Sequence, residues 1–238
     1  VGSEMCIRDR SISARWYPNI KKITEANKKF WYIRLKSVYL RITIFSFMQT
    51  YIETSRLILR DWKEEDIPLF ALMNADPHVM EYFLQPLTPE ESLNFYHRIQ
   101  KEFQTCGFGL YAVERKEDHA FMGYTGLHQI TFDVDFAPGI EIGWRLAHEY
   151  WGHGYAPEAA TACLEYTRKQ PDITELYSFT SLPNLRSERV MQKIGMTRMK
   201  EFDHPLVPAD HPLCKHVLYH IKTCLLYTSP SPRDKRQS

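Results

Sequence analysis

The run EIGWRLAHEYWGHGYAPEAA, residues 141–160, constrains the fold more than any other stretch of the chain. IEIGWRLA (140–147) has the pattern of a strand. Gly152 and Gly154 follow it closely, and Pro157 sits where a helix can begin, in the first turn that tolerates proline. A helix N-terminus leaves its first amide N–H groups unpaired and carries partial positive charge. Glycines let such a backbone approach a bulky anion without Cβ clashes. Strand, glycine turn and helix in this order make either a pyrophosphate cradle or a plain tight turn. The glycines alone do not separate the two. Neither G-x-x-x-x-G-K-[ST] nor G-x-G-x-x-G is present.

Around this unit the apolar period alternates between two and about 3.6. ETSRLILRDW predicts an opening strand, and IPLFALMNA a short helix stopped near Asp76-Pro77. PHVMEYF reads as a further helical turn or two. Thr88 caps a helix that opens with Pro89, Glu90 and Glu91 and runs to about Gln104, with Cys106-Gly107 ending it. FGLYAVER and AFMGYTGLHQI are strands joined by the charged turn KEDH, and TFDVDFAPG is a loop before IEIGWRLA. Helix signals resume at Pro157 and run through EAATACLEYTRK. ELYSFTS is a strand, LRSERVMQKIG a helix ended by Gly195, and MTRMKEF and KHVLYHI are strands flanking the loop DHPLVPADHP. This order predicts an α/β (α+β) fold with a single mixed central β-sheet flanked by helices.

The two ends follow a different logic. The opening VGSEMCIRD can be encoded by GTGGGCTCGGAGATGTGTATAAGAGACAG. The reverse complement, read from its second base, encodes CLLYTSPSP, which is Cys224 to Pro232. The ends therefore read as opposite strands of one DNA element, similar to a sequencing-library transposon adaptor, and are set aside from fold reasoning. Residues 11–47 are rich in Lys, Ile, Tyr and Phe, with apolar runs too short to span a membrane. Met48 precedes a patterned strand. The expected division is 1–47 as adaptor scar and non-native upstream translation, 48–223 as one domain with a real core, and 224–238 as adaptor-derived tail. A genuine N-terminal arm is the other reading of 11–47.

Residues 48–223 hold 17 Lys and Arg against 25 Asp and Glu, a net charge of −8. That balance argues against a general nucleic-acid binder, which needs basic phosphate contacts, and leaves room for one local polyphosphate site. Cys6 and Cys224 fall in the scars, and Cys106, Cys163 and Cys214 have no paired metal spacing. They read as free thiols in a reducing cytoplasm, with no membrane association expected. His128, His148, His204, His211, His216 and His220 show no ligand spacing, so no metal is assigned.

A second element opens at Asn184, where NLRSERVMQKIGM follows a strand. Asn184 and Ser187 share the first turn of that helix; helix capping by Asn184 is the plainer reading. Taken together, Trp151, Gly154 and Ala156 in W-x-x-G-x-A, followed by Asn184, Ser187, Lys193, Gly195 and Met196, resemble the GNAT superfamily of acetyl-CoA-dependent N-acetyltransferases. Trp151 stands where most members carry Gln or Arg, but WGxGYA is similar to the Rim-type branch, which acetylates ribosomal-protein N-termini. The likeness extends over nearly all of 52–221, including RLILR, NADPHVMEYF and EIGW.

The resemblance implies the acyl-CoA N-acyltransferase fold and acyl transfer from acetyl-CoA to a primary amine, either a protein N-terminal α-amine or a small amine or antibiotic. A non-catalytic acyl-CoA-binding module is the alternative class. It implies that the backbone of Trp144, Arg145 and Leu146 pairs with the pantetheine arm. The loop Trp151, Gly152, His153, Gly154, Tyr155 and Ala156 would hold the pyrophosphate, with Asn184 and Ser187 orienting ligand and Arg189 and Lys193 near the 3′-phosphate. A solvated helix face serves as well for Arg189 and Lys193. Glu141 stands where relatives often carry a base, although a surface carboxylate fits the same strand position. Relatives place a Tyr acid at the position of Met191, which can donate nothing, so Ser187 is the expected substitute. Tyr82, Phe83, Phe108 and His128 are expected acceptor walls, with core packing as their other role. The branch includes homodimers.

Overall fold

A computed structural model describes residues 49–223. The expectations for residues 1–47 and 224–238 lie outside the described residues. Eight strands form one sheet: β1 (Thr50–Glu53), β2 (Leu57–Arg60), β3 (Leu110–Arg115), β4 (Phe121–Gln129), β5 (Ile140–Leu146), β6 (Glu175–Ser181), β7 (Thr197–Asp203) and β8 (Lys215–Lys222), in the order β1-β2-β3-β4-β5-β6-β8-β7. All neighbours are antiparallel except β5 and β6, which are parallel. The helices are α1 (Asp66–Ala75), α2 (Pro89–Cys106), α3 (Tyr155–Thr167) and α4 (Leu185–Lys193). This is the mixed sheet flanked by helices that the sequence predicts.

Of three apolar clusters among the described residues, two pack the helices against the sheet, and the third gathers Ile130, Phe136 and Leu218 around the loop between β4 and β5. The first joins Leu57, Leu59, Val113, Leu127, Ile142 and Leu146 to Ala159, Ala160, Cys163 and Leu164 of α3 and Met191 of α4. The second packs Phe70 and Met73 of α1 and Ile99 of α2 against Trp62, Leu110, Ala112, Phe121 and Tyr124. Ile142, Trp144 and Leu146 of β5, two apart, all face the first cluster, as the period of a strand requires, while β4 serves both clusters, with Leu127 in the first and Tyr124 in the second.

Two local readings change. The opening strand is a hairpin, with Thr50 paired to Arg60 and Glu53 to Ile58. PHVMEYF forms isolated turns, Met80 N–H to Asp76 O at 3.0 Å and Phe83 N–H to Met80 O at 2.9 Å, that do not propagate into a helix. The cap at Thr88 is a full capping box: Glu91 N–H donates to Thr88 Oγ1 (3.2 Å) and Thr88 N–H donates to Glu91 Oε2 (2.8 Å). Thr88→Ala is expected to cost about 1 kcal/mol, read as a lower urea midpoint at unchanged slope.

Candidate active site

The glycine turn is built to present bare amides. Gly152 and Gly154 adopt left-handed φ angles of 81° and 79°, and Gly154 is the residue from which α3 starts. Such angles favour glycine. A Cβ on Gly152 would meet nothing within 4 Å, so that side of the turn is open. Among the described residues, no protein acceptor takes the N–H of Gly152, His153 or Gly154. The first amides of α3, at Tyr155 and Ala156, lack partners by helix geometry.

A second set of unpaired main-chain groups lies beside the turn. β5 and β6 share a single bridge, Glu141 to Tyr177, and then diverge. On its other side β5 is paired along its whole length with β4, and Ala147 N–H donates to Met122 O at 2.9 Å. Counting back in twos, the main chains of Arg145, Gly143 and Glu141 turn toward β4, while those of Trp144 and Leu146 turn into the gap. The expectation for the Arg145 main chain is therefore corrected, since Tyr124 is its partner. The Leu146 carbonyl is taken by Trp151 Nε1–H at 2.8 Å. Trp151 is thus a strut between strand and turn, with the Arg186 guanidinium 5.0 Å over its ring.

The only bridge between β5 and β6 places Glu141 at the mouth of the gap. Its half-buried carboxyl is pushed up to about 7 by burial, against the opposing influence of His128. His128 lies directly opposite Glu141 in register. The His128 Nδ1 is 2.7 Å from Glu102 Oε2, and this hydrogen bond raises the imidazole pKa. Glu102 also accepts from Gln129 N–H at 2.7 Å, which ties α2 to the end of β4. Further along the same face, Arg145 donates to Asn74 Oδ1 (2.7 Å) and lies 4.1 Å over the ring of exposed Phe83. Tyr82 sits beside Phe83, half-buried. Phe108 packs instead against the core cluster beneath α3.

On α4, Asn184 is the N-cap: its Oδ1 accepts from Ser187 N–H at 3.2 Å and its Nδ2 donates to Thr180 Oγ1 at 2.9 Å. Its side chain is spent on structure. The Ser187 hydroxyl has no protein partner among the described residues. Met191 is fully buried in the core, so that position faces packing and not the gap. Arg189 and Lys193 are exposed.

Sequence reasoning missed three groups whose partners are distant in the chain. Arg56 and Glu158 bind each other at the glycine turn. Glu102 anchors His128. The rings of His78 and His148 stack at 4.7 Å and 14°, with Asp76 Oδ1 3.1 Å from His78 Nδ1. The stack joins the turn after α1 to the start of the glycine segment. No spacing rule on one chain signals such pairs.

Unpaired strand amides lie beside a glycine-opened helix N-terminus, an arrangement whose strand edge can pair with an extended ligand and whose helix end can take an anion. The family model for the Acetyltransferase (GNAT) domain matches residues 56–197, and the chain belongs to that family of acyltransferases. It is similar to YkkB of Bacillus subtilis (31% identical, covering 62% of this chain and 86% of that protein). It is also similar to the N-acetyltransferase YnaD of the same species (31%, 62% and 83%). Among solved structures it resembles a GNAT-family acetyltransferase from Bacillus anthracis, with TM-score 0.59 and 26% identity, over 72% of this chain and 98% of that one. The fold is shared with ribosomal-protein-S5-alanine acetyltransferase of Vibrio fischeri (TM-score 0.59, 19% identity, 72% and 95% covered). It is shared too with spermidine N-acetyltransferase of Vibrio cholerae, solved with CoA and spermine (0.57, 16%, 71% and 97%). No helix among the described residues is long and apolar enough to cross a membrane.

Proposed function

We propose that the donor is acetyl-CoA and that the acceptor is a protein N-terminal α-amine, as in the Rim-type branch. The observation that carries this reading is the alignment of two sets of unpaired main-chain donors, at 152–156 and at Trp144 and Leu146, with Glu141 at their junction. The amides of Gly152 to Ala156 hold the diphosphate. The Trp144 and Leu146 main chain pairs with the pantetheine arm as an added strand would. Arg189 and Lys193 lie on the helix nearest the 3′-phosphate.

Glu141 takes the proton of the incoming ammonium, directly or through one water. Its value of about 7 suits an α-amine at about 7.7–8.0 better than a lysine at about 10.4. The Trp144 N–H stabilises the charge that builds on the acyl oxygen. Ser187 donates to the leaving thiolate, and Phe83 and Tyr82 shape the acceptor entrance. One observation favours a small polyamine as a second reading: Glu102 and Glu141 both flank His128 at the gap.

The test is thiol release from acetyl-CoA by the full chain, with N-terminal peptides, polyamines and aminoglycosides as acceptors. Turnover of peptides above all others supports the α-amine assignment. Turnover of polyamines alone moves the acceptor to the second reading. Absence of CoA binding at millimolar concentration overturns the donor site itself.

A further inference from the structure

Arg56, in the turn between β1 and β2, reaches across to the glycine segment, and each of its three guanidinium nitrogens has a partner there. Nε donates to Glu158 Oε2 at 2.7 Å, and Nη2 lies 2.6 Å from the same oxygen. Nη1 donates to the His153 carbonyl at 3.0 Å. The planar face covers the Tyr155 ring at 4.4 Å. Glu158, in the first turn of α3, accepts in addition from Thr54 Oγ1 (2.6 Å), Ser55 Oγ (3.3 Å) and the Arg56 N–H (3.2 Å). The turn after β1 is thereby clamped onto the start of α3.

The bond to His153 fixes a direction as well as a position. In a trans peptide the C=O of one residue and the N–H of the next point in opposite senses. Arg56 holds the His153 carbonyl, so the Gly154 N–H is aimed away from Arg56. At left-handed Gly154 the backbone alone would tolerate other orientations, because glycine has few steric limits. Three of the five guanidinium N–H donors are spent on Glu158 and the His153 carbonyl.

We infer that Arg56 is a positioning residue for the diphosphate cradle: by holding the His153 carbonyl and Glu158 it pre-orients the Gly154 amide before the donor arrives. Preorganised donors bind without reorganisation at the moment of contact, and small misplacements of such groups are costly. The inference rests on the proposed donor site, and the experiment separates the two.

Coenzyme A and pantetheine, which lacks the diphosphate, are titrated into the full chain, the first by calorimetry and the second by NMR. Arg56→Gln is expected to weaken coenzyme A binding by about tenfold to a hundredfold and to leave pantetheine binding unchanged. Equal losses for both ligands would mark a general structural defect and overturn the inference, as would unaltered coenzyme A binding. Where Arg56→Gln fails to fold, Arg56→Lys serves: it keeps a charge near Glu158 but cannot hold Glu158 and the carbonyl with one planar fork. The same selective loss is expected. A wild-type chain that binds coenzyme A no better than pantetheine would instead remove the cradle. A wild-type preference indifferent to Arg56 sinks this inference alone.

Discussion

Glu141→Gln is expected to lower kcat/KM by about 10²–10⁴-fold while leaving coenzyme A affinity near that of the wild type. The amide keeps the size and polarity of the carboxylate, so packing against the gap is preserved, but it cannot accept a proton at neutral pH. The pH profile adds a stricter reading. A base works only when ionised, so wild-type kcat/KM should carry an acid limb that rises with pH through about 7, following the raised carboxyl, together with the ionisation of the acceptor amine. That limb should vanish in Glu141→Gln, leaving only the ionisation of the acceptor amine. His128, facing Glu141 and held by Glu102, favours the ionised carboxylate. His128→Asn removes that influence and leaves Glu102 unopposed, so the limb should move to higher pH. An unchanged acid limb in Glu141→Gln would show that another group takes the proton.

The local half of this site is legible in the chain and the distant half is not. Gly152, Gly154 and the helix start report themselves because a left-handed turn and a helix N-terminus are both short-range needs. The Thr88 capping box and the helix-ending glycines are local in the same way. PHVMEYF misleads because its apolar spacing fits a helix, while Asp76-Pro77 and separate turn closures keep it from propagating. TYIE is too short to declare itself as a strand and acquires its identity from pairing with LILR. Met191 is recognisable as a departure from the family, and burial explains why that position packs rather than donates. Arg56 with Glu158 and Glu102 with His128 depend on contacts between remote segments, which no periodicity encodes.

The largest stability effect is expected at Arg60, whose side chain is almost wholly buried with Asp66 and Glu114. Its Nη1 and Nη2 donate to the two Asp66 carboxylate oxygens at 2.7 and 3.0 Å, and Nε donates to Glu114 Oε2 at 2.5 Å. Lys63 Nζ (2.9 Å) and His119 Nδ1 (2.8 Å) complete the ring around Glu114. Burial alone would push the Glu114 carboxyl up; hydrogen bonds from His119, Lys63 and Arg60 outweigh it and hold the group at about 2. Arg60→Met leaves two buried carboxylates without their shared cation, and breaking a buried pair from one side costs about 3–5 kcal/mol. The sign with pH follows from linkage. A depressed carboxylate stabilises the fold above its unfolded value of about 4.3, and that contribution is lost as pH falls toward the folded value. The gap between wild type and Arg60→Met in urea denaturation should therefore be widest near neutrality and narrow below about pH 4, as the wild-type cluster loses the contribution of its ionised Glu114. Replacing Arg60, Asp66 and Glu114 together with apolar residues should recover most of the loss, because such a pair costs desolvation as well as gaining attraction. A single variant as stable as the wild type at neutral pH would show that Lys63 and His119 alone compensate the carboxylates, and that the guanidinium is not the keystone of the cluster.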